Sequence, residues 1–298
     1  MDVRSMVESA LGLFNPNWLS RYKSCGKVFV GISCSNCGAR KAIPITCNVR
    51  LCPDCVERRG KRLFKRYLPV VLSIKKKHSD AVLSLLTLTI RNIYNLLIGF
   101  KKLQKALHKF FRRSYVRNRV YGGIYVYEVT IDKFGWYHIH VHALILHKLF
   151  GVPSNYEVRY LTIPKRLETT KGITSKEDLL KPRKDLGQII LSAIWEEITG
   201  DPVLDIRKIR SPKKGLRYVL KYLSKIPKLS SVDQYVEYLR TFENKPILVP
   251  FGVFRVKLEV CKLVCPYCGC SSFIFVTIIY GQDEAELFER EKGPPDGG

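Results

Sequence analysis

Three histidines raise the first chemical possibility. In Trp136-Tyr137-His138-Ile139-His140-Val141-His142-Ala143-Leu144-Ile145 they alternate with apolar residues. Side chains along a β-strand point to opposite faces in turn, so an extended stretch puts the three imidazoles on one face and Ile139, Val141 and Ala143 on the other. Residues two apart on a strand are ~6.5–7 Å apart, and two imidazoles leaning together across that gap can chelate one divalent ion. Histidines that are merely structural on a half-buried strand are the plainer alternative. Just upstream, Ile124 to Thr130 reads as a second strand, with Glu128 as its one charged residue. Such a carboxylate demands a partner. It shares a face with the histidines only if it pairs with an even-numbered residue such as His140, which requires an odd-length loop or a bulge around Asp132-Lys133-Phe134-Gly135.

The second chemical group is a pair of phenols. Tyr218-Val-Leu-Lys221-Tyr222-Leu-Ser-Lys225 is a YxxK written twice. On a helix, residues four apart share a face, so Tyr218 and Tyr222 project side by side, each followed by a lysine. A phenol is a weak nucleophile at its free pKa of about 10, and a neighbouring cation or a metal-polarised phosphate makes its attack feasible at neutral pH. Amphipathic tyrosines packing with exposed polar tips are the alternative.

The third is sulfur. Cys34-Ser-Asn-Cys37 and Cys52-Pro-Asp-Cys55 form two CxxC knuckles separated by 14 residues. This spacing predicts one tetrahedral zinc held by Cys34, Cys37, Cys52 and Cys55, with Cys47 and the more distant Cys25 as possible substitutes. Near the carboxyl end, Cys261, Cys265, Cys268 and Cys270 could close a second zinc site locally. A disulfide or an unmetallated turn is the alternative there, since a zinc ribbon needs a second knuckle and none lies downstream.

The bulk composition frames these groups. The 51 Lys and Arg against 26 Asp and Glu give a net charge of +25, which points to a polyanionic partner, nucleic acid first. No apolar run reaches 18 residues and no signal peptide is evident, so a membrane partner is not expected and a cytoplasmic location is. Ten cysteines in such a chain read as metal ligands before disulfides. Only four Gln and two Met among so many Lys and Arg resemble a thermophile's composition, where intracellular disulfides do occur.

The elements needed to position these residues follow from periodicity. Residues 1–24 suggest no role. A basic segment from Arg58 to Arg66 reads as a phosphate-contacting helix ending at Pro69. Val82 to Ile90 reads as a strand with Thr87 and Thr89 on one face, and Phe100 to Arg113 as a helix with buried aromatics and exposed charge. Residues 151–184 read as a long irregular excursion. A helix over 185–198, a strand over 203–209 and a helix from Ser211-Pro212 to about Lys225 follow. Beyond lie a helix near 232–241, β-prone stretches over 247–260 and 273–279, and an acidic tail expected to be a frayed helix and linker. The expected domains are a zinc module over 1–77, a central domain over 78–228 and a carboxyl-terminal region over 229–298. Segments 91–119 and 207–228 contain no acidic residue and could form one continuous phosphate track.

In order along the chain, Leu86-Thr87-Leu88-Thr89, Glu128-Val-Thr, the HxHxH strand and the YxxKYxxK helix resemble the HUH endonucleases. The likeness is to rolling-circle replication initiators, and the paired tyrosines also resemble those of rolling-circle transposases. The resemblance implies an α+β fold, a ferredoxin-like antiparallel sheet with helices on one face, beside the zinc module and a small cysteine-containing β region. It implies a divalent Mg2+ or Mn2+ ion on His140, His142 and Glu128, with His138 a spare. Tyr222, or Tyr218, would attack single-stranded DNA at an origin hairpin and leave a 5′-phosphotyrosine and a free 3′-hydroxyl. Lys221 and Lys225 would steady the charge. Host helicase and polymerase are implied partners for replicating a plasmid or virus, and the sequence holds no GxxxxGK[ST] loop of its own. A transposase with the same chemistry and a zinc-dependent DNA-binding regulator without catalysis are the alternatives.

Overall fold

Among the described residues the longest strand pairing is a hairpin, and the histidine strand is its second arm. In the computed structural model, which describes residues 2–258 and 263–291, the elements in chain order begin with α1 (Val3–Phe14), α2 (Pro16–Lys23), β1 (Val28–Cys34), β2 (Arg40–Pro44) and α3 (Pro53–Lys77). Then come β3 (Val82–Thr89), α4 (Leu96–Arg112), α5 (Ser114–Arg117), β4 (Val120–Ile131), β5 (Tyr137–His147), α6 (Asn155–Arg159), α7 (Lys165–Lys171) and α8 (Leu186–Thr199). The remainder is β6 (Leu204–Lys208), α9 (Pro212–Leu223), α10 (Val232–Phe242), β7 (Leu248–Gly252), β8 (Phe273–Tyr280) and α11 (Gln282–Arg290). Two compact units result, one of residues 60–257 and one joining residues up to 59 with those from 258 onward.

The larger unit is built on an antiparallel sheet of order β6-β3-β5-β4-β7. β5 lies in the middle, and from Val141 to His147 every residue is buried, as expected of a strand covered on both faces. α4 covers one face. Its apolar positions Leu96, Phe100, Leu103, Leu107 and Phe110 recur at helical spacing, and Asn95 caps its first turn by accepting from the Ile98 N–H. Gly99 lets it close on the sheet, since a Cβ there would lie 2.9 Å from Ile139 Cδ1. α9 covers the opposite face. Ser211 caps it, Pro212 opens it, and a Cβ on Gly215 would lie 3.1 Å from Leu144 Cδ1. Odd and even residues of β5 therefore meet different helices, which corrects the expectation of helices on one face only.

The smaller unit centres on β1, antiparallel to β2 on one side and to β8 on the other. Phe29, Ile279, Ala285 and Phe288 form its packed cluster, so α11 is a docked helix, where the sequence reads as a frayed one. The first residues, silent in sequence, form the helical pair α1 and α2, with Val7, Ala10 and Leu11 buried. The boundaries also differ from those expected at residues 77 and 228. β7 pairs with β4 and β8 with β1, so the carboxyl-terminal stretch is divided between the two units. α3 continues through Pro69 to Lys77, with Val71 and Ile74 maintaining its buried stripe. The irregular 151–184 stretch holds α6, α7 and a short 3-10 turn, and is pinned by Glu157, which pairs with Arg119 and caps α6 with Ser154.

Trp195 of α8 is fully buried, and its Nε1–H donates to the Thr89 carbonyl at 2.7 Å, anchoring the end of β3. Trp195→Phe keeps one aromatic ring, removes the fused pyrrole with its N–H, and leaves that carbonyl without its donor. Loss of about 1–3 kcal/mol of stability is expected, read as a lower urea midpoint with an unchanged far-ultraviolet spectrum.

Candidate functional site

The β4–β5 hairpin closes through a five-residue loop, 132–136, and its register sets Glu128 opposite His140 and Val126 opposite His142. This is the odd-length loop that the shared face requires. β3 completes the face from the other side, with Thr87 opposite His142 and Thr89 opposite His140. Both threonines reach the rings they face: Thr89 Oγ1 lies 2.9 Å from His140 Nδ1, and Thr87 Oγ1 lies 3.2 Å from His142 Nδ1. A ring nitrogen so held fixes the imidazole's orientation and leaves the other nitrogen facing outward. The pairing of Thr87 and Thr89 with the rings was not read from the sequence, although alternation had already put both on one face.

Glu128 is engaged at both oxygens. His142 Nε2 lies 2.8 Å from Oε2, and the Lys225 ammonium donates to Oε1 at 2.8 Å. Burial opposes ionisation of this carboxyl, but the His142 and Lys225 hydrogen bonds outweigh it and hold it down at about 2. For His140, burial and then the nearby His138 push the imidazole down to about 4, so at neutral pH it is a neutral ring with a lone pair to offer. His138 stacks edgewise on His140, with ring centroids 4.1 Å apart.

α9 brings the phenols to the same face. Tyr222 stacks on His142 with centroids 3.5 Å apart and planes 6° from parallel, and its hydroxyl donates to the Tyr218 hydroxyl at 2.8 Å. Lys225 lies over the Tyr222 ring at 4.7 Å, while Lys221 is exposed. Burial and then the Tyr218 hydroxyl push the Tyr222 phenol up, so unaided it is a poor nucleophile at neutral pH.

Two imidazoles and a carboxylate suit a divalent ion such as Mg2+ or Mn2+. Among the described residues, however, the groups whose ligand atoms lie within 4.8 Å of one another are two sets of cysteines, and the His140, His142 and Glu128 set is not one of them. Lys225 and His142 each hold one Glu128 oxygen, so a cation binding there would compete with the ammonium for the carboxylate.

The cysteines regroup relative to the sequence reading. Cys34 and Cys37 meet Cys265 and Cys268, while Cys52 and Cys55 meet Cys25 and Cys47. Sulfurs lie 3.5 Å apart in the pairs Cys34–Cys268, Cys37–Cys265, Cys25–Cys55 and Cys47–Cys55. That is too far for a disulfide at ~2.05 Å and close to the ~3.8 Å edge of a tetrahedron of thiolates around zinc. Each set could hold a metal such as zinc. In the second set Cys52 is drawn down to about 5, first by its hydrogen bond with Cys47, whose own thiol is pushed up. Four thiols so packed cannot all ionise without a cation among them.

The expected Cys34, Cys37, Cys52 and Cys55 set is therefore not brought together, and among the described residues Cys265 and Cys268 join Cys34 and Cys37. Cys270 stays outside both groups, and Cys261 lies outside the described residues. The physical reason is the β1–β8 pairing, which lays two matching knuckles together. Cys34-x-x-Cys37-Gly38 and Cys265-x-x-Cys268-Gly269 both turn on a left-handed glycine, at φ 70° and 72°. The second knuckle missing downstream was upstream. That repeated CxxCG is the signal that could have found it.

Residues 39–158 match the family described as replication protein. The chain is similar to rolling-circle replication initiators. It is 29% identical over 150 residues to "Protein rep" of Lentilactobacillus hilgardii, a match covering 49% of this chain and 48% of that protein. The matched part of this chain thus spans about half the length of that curated relative. No solved structure matches significantly. Among the described residues no helix is long and apolar enough to cross a membrane.

If each cysteine set holds one zinc, metal analysis of the purified protein should find two per chain. Cys265→Ser and Cys37→Ser should each remove the same ion, so that the double variant loses no more than either alone, and Cys47→Ser should remove the other. Loss of both ions from the Cys37→Ser, Cys265→Ser double variant would contradict the grouping.

Proposed function

We propose that this chain is a metal-dependent endonuclease and strand transferase that nicks single-stranded DNA at a replication origin. The observation that carries the reading is the stack of Tyr222 on His142, with Tyr218 in hydrogen-bond contact, over the face that also carries His140 and Glu128. A nucleophile is thereby set against a ligand pair. The replication-protein match favours an initiator over a transposase, and a purely structural role for the histidines leaves the tyrosine stack without purpose.

In this reading His140, His142 and Glu128 hold a divalent ion, which when bound polarises the scissile phosphate. The Tyr222 oxygen forms the new bond to phosphorus and the bond from phosphorus to the 3′-oxygen breaks. The phenolic proton ends on that 3′-oxygen, giving a 5′-phosphotyrosine and a 3′-hydroxyl. Lys225, which lies over the Tyr222 ring, would offer its charge to the phosphate or the phenolate. Tyr218 is placed for the return transfer, and Lys221 steadies incoming phosphate from the exposed side of α9. The two cysteine sets take zinc as structural ions.

The succession β3-α4-β4-β5-α8-β6, with neighbours in the order β6-β3-β5-β4, supports a ferredoxin-like core for this chemistry, extended by β7 at its edge. An origin hairpin as substrate, host helicase and polymerase as partners and a plasmid or virus as the replicon belong to the same reading.

The direct test is incubation of the full chain and its tyrosine variants with a single-stranded origin oligonucleotide and Mn2+, followed by denaturing electrophoresis. Tyr222→Phe is expected to lose the covalent adduct, by at least about 100-fold in rate. Tyr218→Phe is expected to form the adduct and fail to rejoin the strand. An adduct formed by the double variant would refute the assignment.

A further inference from the structure

The two acid-free segments do not make one track. α9, carrying the tyrosines, lies over the even-numbered residues of β5, and α4 lies under the odd-numbered ones. The whole thickness of the sheet separates them, so a single strand threaded to Tyr222 does not run along α4. Yet α4 carries a row of cations of its own. Lys101, Lys105, Lys109 and Arg112 recur at three- and four-residue intervals with Lys102 beside them, all exposed, and no acidic residue lies anywhere between 91 and 119. Four helical residues rise ~6 Å, so the charges form one straight stripe along the helix. A cavity of about 400 Å³, lined by His108, Lys109, Arg112 and Arg113, opens at its carboxyl end, where Arg113 is tied to Glu197.

We infer that this outer face of α4 is a docking surface for the backbone of double-stranded DNA, distinct from the tyrosine face. Charge complementarity sets the class of partner, since duplex DNA presents one phosphate per ~1.7 Å of axis and a stripe of fixed cations releases its counterions. Along the stripe from 101 to 113 no phenyl, phenol or indole ring stands fully exposed, which favours duplex over single strand. Binding of unpaired bases relies on exposed aromatic rings. From Lys101 to Arg113 the aromatics turn inward, with Phe110 buried and Phe111 packed on Phe251. Only polar and charged side chains stand fully exposed along the stripe. The inference concerns binding alone and does not depend on the nicking chemistry.

The test uses the full chain carrying Lys105→Gln, Lys109→Gln and Arg112→Gln together, three exposed positions where glutamine suits a helix. Binding to a duplex of arbitrary sequence and to a single strand is measured across salt from about 50 to 200 mM. The expected result is a fall in duplex affinity, a log–log salt slope shallower by about 3, and unchanged single-strand affinity. A control with Lys76→Gln, Lys77→Gln and Lys184→Gln should alter the duplex slope by less than about 1. An unchanged duplex slope in the α4 variant, an equal loss on single strands, or an equal effect of the control would each overturn the inference. Because binding is read without cleavage, a protein that binds duplex through α4 yet never nicks would leave this surface standing and refute the proposed activity.

Discussion

Everything at the candidate site depends on the register of β5 between its two neighbours. One strand, paired antiparallel on both sides, delivers Thr87 and Thr89 from β3 and Glu128 from β4 to the face where His140 and His142 project. Slipping either pairing by one residue would send its contribution to the α4 side of the sheet. The buried half of β5 opposes such a slip, because Ile139, Val141 and Ala143 must stay in the apolar layer under α4. The same apolar alternation that stabilises the sheet thereby fixes which side chains share the site face.

Upon that face the charges form a poised arrangement. Glu128 is satisfied by His142 and by Lys225, a residue that also lies over the Tyr222 ring. An ammonium next to a carboxylate gives much of the stabilisation that a metal would, without its geometry. Exchange of Lys225 for a divalent ion would free a cation next to Tyr222 as the phosphate arrives. The phenol, pushed up by burial and Tyr218, would stay unreactive until then.

Which side chains share a face was more legible in the sequence than the closure of the chain. Alternating histidines, a lone glutamate in a strand and tyrosines four apart are local patterns, and local spacing determines which face each occupies. The hairpin register could be posed as a parity condition, and the five-residue loop meets it. The cysteines were different. The grouping of Cys34 and Cys37 depends on β8 returning more than 200 residues later to pair with β1, a contact that spacing along the chain does not encode. The knuckles Cys34-x-x-Cys37 and Cys52-x-x-Cys55 were accordingly joined, when the first belongs with Cys265 and Cys268 far downstream and the second with Cys25 and Cys47, which the sequence offered only as substitutes. The opposed placement of α4 and α9 was hidden for a related reason, since periodicity tells which side of a helix is buried but not which face of the sheet it covers.

The central claim is that the β5 register assembles a divalent-ion site from His140, His142 and Glu128 beneath Tyr222. Its most direct measurement is anomalous diffraction from crystals of the full chain grown with Mn2+. The account predicts one anomalous peak about 2.1 Å from an imidazole nitrogen of each histidine and from a Glu128 oxygen, with the Lys225 ammonium moved off the carboxylate. A saturating Mn2+ concentration that leaves the Lys225–Glu128 pair in place, with no peak on the histidines, would contradict it.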